Sequence, residues 1–399
     1  MKKALAIGLA AVMAVSMSAP VFAEDEGKGI AKEDLKVGVI YIGDENEGYT
    51  EAHLKAVEEM KKNLGLSDDQ VVIKTNIKED EGCYDAAVDL AEQGCNIVIA
   101  NSFGHESYIL QAAADYPDVQ FCHATGYQAK SSGLSNMHNF FTRIYESRYL
   151  SGVVAGMKLN EMIDNGDITA DQAKMGYVGA FTYAEVISGY TAFLLGARSV
   201  VPETTMEVCY TDTWNNYLKE KKCAQELIGD GCVIISQHSD TAGPAVACEQ
   251  TDASMPVYLV GYNQSMAELA STTYLTGAKI NWVPYMKQAV QAVLDQKKIE
   301  DVVVGNVNGQ DIGAGFDEDW VQMLELNELV AAPGTKDKIA STIEKLKNNQ
   351  IEVFQGDYIG INPQDATDTY DMTKGYPENE KSSAPSFYYI LKDIIDIKE

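Results

Sequence analysis

The amino-acid sequence holds few basic residues for its length. Its 399 residues contain 31 Lys and Arg against 59 Asp and Glu, so the formal net charge is −28 at pH 7. A surface of that sign repels phosphate backbones and anionic membranes. We therefore expect no nucleic acid as a partner and interpret the acidity as a solvated surface, with docking of acidic lobes on a basic partner as the alternative.

The sequence also lacks the motifs that commonly carry catalysis. GxSxG, HExxH, GxxxxGK[ST] and a GxGxxG after a strand are all absent. The five histidines are scattered, although "QHSD" brings His238 and Asp240 together in a pair suited to acid–base chemistry. No nucleophile accompanies this pair, so we expect no enzyme and keep a hydrolase using His238 and Asp240 as the weaker alternative.

Cysteine is dispersed, with seven residues, no CxxC pair and no histidine at zinc-ligand spacing. Most of the cysteines lie in apolar runs such as "FCHATG" and "GCVIIS", where a free thiol behaves as a small hydrophobic group. We expect reduced thiols, no disulfide framework, no metal site and no cofactor.

The longest apolar run lies at the N-terminus. "MKKALAIGLAAVMAVSMSAPVFAED" has two lysines, about 14 apolar residues and a small-x-small end, the layout of a signal peptide over residues 1–23. The run is too short for a membrane span, so we expect an exported, extracytoplasmic protein. No cysteine precedes Cys83, so the lipid-attachment site of a bacterial lipoprotein is missing.

Short runs rich in β-branched residues alternate with amphipathic segments along the rest of the chain. A first array contains "KVGVIYIG", "QVVIKTNI", "NIVIANS" and "DVQFCHATGY", and a second contains "MGYVGAF", "TMEVCYT", "CVIISQH" and "PVYLVGYN". Alternating strand and helix predicts parallel sheets with right-handed crossovers. Two such arrays predict an α/β protein with two lobes.

The pattern also suggests where the lobes begin and end. We predict the first lobe over residues 32–142 and the second over 143–264. A strand and helix at about 265–300 are expected to cross back to the first lobe, and part of 301–355 to belong to the second. Residues 356–399 are rich in turn formers and predict a C-terminal extension that wraps the surface.

The predicted strand ends indicate the chemistry of a ligand. In open parallel sheets, ligands bind beyond the carboxyl ends of the strands. Those ends carry aromatic, uncharged and acidic residues here, with hardly a base among them. A phosphorylated ligand would favour Arg, Lys or a Gly-rich helix start, so we expect a neutral or cationic flat molecule.

Four stretches carry a resemblance to a known family. They are "DYPDVQFCHATGY", "FTRIYESRYLSGVVAG", "GYVGAFTYAEVISGYTAFLLGARSV" and "IISQHSDTAGPAVACEQ". Over about residues 36–355 the chain resembles the basic membrane protein (PnrA-like) family of ABC-transporter substrate-binding proteins. The resemblance implies a bilobal type I periplasmic-binding-protein fold, two parallel-sheet lobes joined by three hinge crossings. It also implies a purine base or purine nucleoside between the lobes and an ABC permease as partner, and we expect a monomer.

The family pattern also implies binding residues, position by position. It places Asp44 and Tyr49 after the first strand and Phe181 after the strand that opens the second lobe. The candidate ligand-binding residues are Asp44, Tyr49, Phe103, Phe181, Tyr183, Trp214, His238, Asp240, Asn263 and Trp282. The alternative for Phe181 and Tyr183 is a plug of the interlobe core. The alternatives for Trp214 and Asp44 are a structural cap and the N-cap of the next helix.

The chain departs from the family at Asn263, where "GYN" replaces the usual "GYD" or "GVD". An amide grips a ribose diol less tightly than a carboxylate does, but it suits the edge of a base. We therefore predict a free base, adenine or a hypoxanthine-like molecule, over its nucleoside. The rival hypothesis within the receptors is another ligand, such as a sugar or a signalling molecule.

Overall fold

A computed structural model describes residues 29–252, 254, 256–305 and 307–398 of the protein. The predicted signal peptide, residues 1–23, lies outside the described residues. Helices and strands alternate along the chain and build two large sheets and one small one.

The described residues form sixteen strands. In chain order they are β1 (Val37–Ile40), β2 (Val71–Lys74), β3 (Ile97–Ala100), β4 (Gln120–Ala124), β5 (Met137–Thr142), β6 (Lys174–Gly179), β7 (Thr205–Tyr210), β8 (Ile234–Gln237), β9 (Tyr258–Tyr262), β10 (Tyr274–Ile280), β11 (Asp311–Ala314), β12 (Val321–Met323), β13 (Ile359–Asn362), β14 (Asp365–Asp371), β15 (Ile390–Leu391) and β16 (Ile395–Ile397).

Eleven α-helices connect the strands in the described part of the chain. They are α1 (Gly48–Leu64), α2 (Glu81–Glu92), α3 (Glu106–Asp115), α4 (Ala129–Ser132), α5 (Ile144–Asn165), α6 (Ala184–Arg198), α7 (Tyr217–Gly229), α8 (Gly243–Glu249), α9 (Val283–Leu294), α10 (Ile299–Val302) and α11 (Thr335–Lys347).

The first sheet is parallel throughout and has the order β11-β5-β4-β3-β1-β2. Every residue of β1 and of β3 is buried. Because crossover helices cover both faces of a parallel sheet, such strands read as continuous apolar runs. The sequences "VGVI" and "IVIA" fit that requirement, and this is why the pattern located them.

The second sheet has the order β12-β10-β9-β8-β6-β7-β16. Its strands pair in parallel except β12, which runs antiparallel to β10. Helices α5 and α6 cross beneath this sheet in backbone contact. A Cβ atom on Gly152 would collide with the carbonyl oxygen of Phe193, and one on Gly196 with that of Tyr149. This close crossing holds α5, which carries Arg148, against the second lobe.

The chain passes between the two sheets three times: after β5, after β10, and between β11 and β12. The expectation that residues 265–300 return together to the first lobe is wrong for β10, which lies in the second sheet beside β9. Only the following helix α9 packs on the first lobe, where Tyr285 stacks on Phe140 at 3.7 Å between ring centroids. The run "YLTGAKI" is apolar enough for either sheet, so its pattern could not assign it. In residues 301–355, β11 joins the first sheet and β12 the second.

The expectation of reduced thiols is wrong for one pair. Cys209 at the end of β7 and Cys223 in α7 form a disulfide, with their Cα atoms 5.8 Å apart. The other five cysteines are free and buried. The turn from β7 into α7 brings the pair together, and a separation of 14 residues matches no spacing motif.

The segment after α11 contacts both lobes. It forms an antiparallel sheet of order β14-β13-β15, and then β16 extends the second sheet beside β7. The backbone N–H of Ser383 donates to Asp311 Oδ1 on the first sheet at 2.9 Å, and the Tyr388 hydroxyl donates to the carbonyl of Thr182 on the second lobe at 3.2 Å. The extension is therefore a structured part of the bilobal body.

Candidate functional site

A narrow cavity of about 30 Å³ lies between the lobes, at the carboxyl ends of both sheets. The first lobe contributes Ile42, Tyr49, Asn101, Ser102, Phe103 and Thr125 to its lining. The second lobe contributes Glu185, Trp214, His238, Asp240 and Tyr262. The lining therefore combines aromatic rings from both lobes with carboxylates from the second lobe alone.

The polar groups of the first wall are mostly engaged with the protein itself. The Tyr49 hydroxyl donates to the backbone carbonyl of Asn101 at 2.8 Å, and Asn101 Oδ1 accepts from the N–H of Ile42 at 3.0 Å. Ser102 Oγ donates to the carboxylate of Glu79 at 2.7 Å. What this wall offers a ligand is chiefly its apolar and aromatic surface.

The second wall contains a chain of polar side chains, Arg148–His238–Glu185. Arg148 donates from Nη1 to the carbonyl of Gln237 at 2.8 Å and from Nη2 to His238 Nδ1 at 3.3 Å. His238 Nε2 lies 3.2 Å from Glu185 Oε1. Burial, and secondarily the charge of Arg148, lower the pKa of His238, which favours the neutral ring.

A cluster of aromatic rings lies at the edge of the cavity and spans the two lobes. Phe103 of the first lobe lies 5.2 Å from Tyr183 of the second, centroid to centroid. Tyr183 stacks on Phe181 at 5.1 Å, and Phe181 meets Trp214 edge-on at the same distance. Phe181 and Tyr183 thus support Trp214 and Phe103 from outside the lining.

The lobes also meet at two acids. The N–H of Gly48 donates to the carbonyl of Asp240 at 3.4 Å, and the carboxyl groups of Glu47 and Asp240 share a hydrogen bond. Burial raises the pKa of Asp240 well above its ordinary value, and the charge of Glu47 raises it further. Burial raises the pKa of Glu47 as well, although Glu47 also caps α1 by accepting from the N–H groups of Tyr49 and Thr50, so the two carboxyl groups share a proton more readily than free carboxylates do.

The structure places three of the predicted site residues away from the cavity. Asp44 accepts from the backbone and side chain of Asn46, and these bonds lower its pKa. Asn263 accepts from the N–H of Ile280 at 3.1 Å and ties β9 to β10. Trp282 is buried and stacks on His53 at 4.2 Å. All three residues follow a strand in the sequence, but their side chains form hydrogen bonds in a turn or pack in the core.

Tyr49, Phe103, Trp214, His238 and Asp240 come together around the cavity. Glu185, which was not among the predicted site residues, also lines the cavity and lies in the first turn of α6. The helix dipole favours an acid in the first turn of any helix. The sequence around Glu185 therefore gives no indication of a binding role.

No group of three or more His, Cys, Asp or Glu suited to a metal ion occurs among the residues that the structure describes. In the same part of the chain, no helix is both long and apolar enough to cross a membrane.

The two lobes and the cavity between them are those of the type I periplasmic-binding-protein fold. Among solved structures it is similar to a solute-binding protein of an ABC transporter system from Aeropyrum pernix (TM-score 0.65, 13% identity, covering 84% of this chain and 95% of that one). A solute-binding protein from Conexibacter woesei aligns with a TM-score of 0.62 and 18% identity over 79% of this chain and 97% of that one. These matches confirm the predicted fold.

The family follows from sequence. Residues 35–355 match the family model of PnrA-like ABC transporter substrate-binding proteins, so the chain belongs to this family. It is 30% identical to a purine-binding protein of Brucella abortus over 83% of this chain and 86% of that protein. It is 27% identical to a putative ABC transporter glucose-binding protein of Haloferax volcanii over 83% of this chain and 77% of that one. Substrate-binding proteins of this family work outside the cytoplasm and pass a small molecule to a permease.

Proposed function

We propose that this protein binds a purine base or purine nucleoside between its lobes, as an exported monomer, and delivers it unchanged to an ABC permease. The observation that carries the proposal is the pairing of aromatic surfaces across a narrow cavity. Tyr49 and Phe103 line it from the first lobe, and Trp214 and Tyr262 from the second. Aromatic walls of this kind suit the faces of a flat heteroaromatic ring, and each stacking platform contributes about 1–3 kcal/mol.

Two further observations support a purine over a sugar. The identity of 30% to the Brucella abortus purine-binding protein exceeds the 27% to the Haloferax volcanii putative glucose-binding protein. A sugar also needs hydrogen-bonding groups around its whole rim, whereas Tyr49, Asn101 and Ser102 on the first wall already bond to the protein. A sugar receptor remains the second candidate because of the Haloferax volcanii relative.

Thermal unfolding with a ligand panel tests the proposal. A ligand that binds only the folded state stabilises it by about 2.7 kcal/mol at a hundredfold excess over its Kd. We expect adenine, hypoxanthine or their nucleosides to raise the melting temperature, and glucose and ribose to leave it unchanged. A larger rise in melting temperature with glucose than with any purine would contradict the purine proposal and favour a sugar ligand.

Turnover is tested on the same samples. Mass spectrometry of the ligand recovered from the purified protein should return the purine with its mass unchanged after prolonged incubation. Recovery of a free base after incubation with a nucleoside would instead support a hydrolase at His238 and Asp240.

A further inference from the structure

Glu185 is the one carboxylate of the cavity whose orientation is fixed from within its own lobe. It lies in the first turn of α6, and 13% of its side chain is exposed. Asp240, the other acid in the lining, is engaged with Glu47 across the lobes. Glu185 is therefore oriented by its own lobe, whereas Asp240 is engaged by the opposite lobe.

The contacts of His238 determine which group donates and which accepts. A guanidinium has only donors, so His238 Nδ1 must accept from Arg148 Nη2 at 3.3 Å. The neutral ring then carries its hydrogen on Nε2, and this N–H donates to Glu185 Oε1 at 3.2 Å. Arg148 itself is fixed by its bond to the carbonyl of Gln237 and by the ring of Tyr262, 3.6 Å from its central carbon.

The same wall carries polar atoms with no protein partner. In the part of the chain that the structure describes, no group hydrogen-bonds Glu185 Oε2. The Tyr262 hydroxyl also lacks a partner, although Tyr262 is only 5% exposed and lines the cavity. Buried polar groups are normally paired, so these two atoms are available to a ligand that supplies a donor to the carboxylate and a partner to the hydroxyl.

We propose that Glu185 is a specificity-determining residue that accepts a hydrogen bond from an N–H of the bound purine. His238 and Arg148 are positioning residues that hold its carboxylate toward the ring. The inference rests on the proposed purine function and deepens it. Because a carboxylate only accepts, the edge of the ligand that faces Glu185 must be a ring N–H or an exocyclic amine.

The first test is Glu185→Gln, measured by calorimetry with adenine and hypoxanthine and with their 1-, 7- and 9-methyl derivatives. The substitution removes the charge and presents an amide to the ligand. Hydrogen bonds to charged groups are worth enough that we expect Kd to rise about 10- to 100-fold. Glu226→Gln makes the same charge change on α7, in the same lobe and outside the cavity lining, and should leave Kd unchanged.

The methyl derivatives locate the N–H that Glu185 accepts. Methylation of that one nitrogen should weaken binding to the native protein, and this penalty should shrink in Glu185→Gln because the bond is already impaired. Equal penalties in both proteins at every position, with Kd unchanged by Glu185→Gln, would overturn the inference and leave purine binding intact. Failure of every purine to bind the native protein would instead overturn the proposed function.

The second test separates positioning from simple packing. Gln at position 238 can accept from Arg148 through its oxygen and donate to Glu185 through its nitrogen, whereas Leu can do neither. We expect His238→Gln to restore most of the affinity that His238→Leu loses. Equal affinities for these two variants would contradict the positioning role. Should Glu185→Gln fail to fold, Glu185→Asp, which keeps the charge but withdraws it by one carbon, gives the same comparison with the methyl panel.

Discussion

The two walls of the cavity are built from the same kind of strand end but offer different chemistry. On the first lobe, Asn101 and Ser102 form hydrogen bonds with the backbone and with Glu79, and none of the residues that line this wall is charged. On the second lobe, Glu185 and Tyr262 keep polar atoms free of protein partners in the described chain. We infer from this difference that hydrogen bonds from the second lobe determine which ligand binds, whereas the first lobe contributes mainly apolar contact.

Among the aromatic residues of the cavity, the largest effect on binding is expected from Trp214 of the second wall. Trp214→Ala removes a stacking platform worth about 1–3 kcal/mol, so we predict that the Kd for a purine rises about 10- to 100-fold. Calorimetry on native protein and variant measures it. Trp214→Phe is the control, because it keeps a ring and should recover most of the loss. An unchanged Kd for Trp214→Ala would reduce Trp214 to a structural cap.

The fold was more predictable from sequence than the site. Parallel strands that are buried on both faces consist of short continuous apolar runs, so β1 and β3 could be recognised from the sequence. The rule that ligands lie beyond strand ends selected Trp214 and His238, and both line the cavity. The same rule also selected Asn263, because a sequence position after a strand does not say where its side chain points. That direction depends on backbone torsions and on tertiary partners such as Ile280.

Glu185 lines the cavity although no sequence pattern selected it. It is an ordinary acid in the first turn of a helix, and its proposed role depends on His238, 53 residues later, and on Arg148 from a different helix. No local pattern joins three positions that only the packing of α5 and α6 on the second sheet brings together. Contacts between distant segments therefore leave no local signal in the sequence.

The next effect concerns pH and the contact between the walls. Because the pKa of Asp240 is raised in the folded protein, its protonated form contributes stability at low pH that is lost as the pH rises through the raised pKa. Asp240→Asn keeps a donor for Glu47 and cannot ionise. We predict that the melting temperature of the ligand-free variant exceeds that of the native protein by a few degrees more at pH 8 than at pH 5.

Glu249→Gln provides the comparison for this prediction, and we expect its effect on the melting temperature to be the same at pH 5 and pH 8. Glu249 lies in α8 of the same lobe and accepts from Thr272 and Thr273, but it does not line the cavity and does not contribute to the raised pKa of Asp240. A pH-independent difference between Asp240→Asn and the native protein would show that the Glu47–Asp240 contact carries no linked proton.

A smaller effect is expected from the first wall. Phe103 is 38% exposed and contacts Tyr183 at the edge of the cavity, so Phe103→Ala removes part of an aromatic pair worth about 0.5–1.5 kcal/mol. We predict a rise in Kd of about threefold, compared by calorimetry with Trp214→Ala. Phe103→Leu should lie between the alanine variant and the native protein. If Phe103→Ala weakened binding as much as Trp214→Ala does, the two walls would contribute equally to affinity, which would contradict the proposed difference between them.

The smallest effect on affinity is expected at Asn263. Its φ of +56° suits Asn and Asp, and an Asp side chain would still accept from Ile280, so the turn after β9 should survive Asn263→Asp. Residue 263 is buried, and an added charge there lowers folding stability, which a thermal melt at neutral pH would show. Because neither wall changes, we predict Kd values for adenine and adenosine within about twofold of those of the native protein. Tighter binding of adenosine alone would instead place residue 263 beside a ribose and return it to the site.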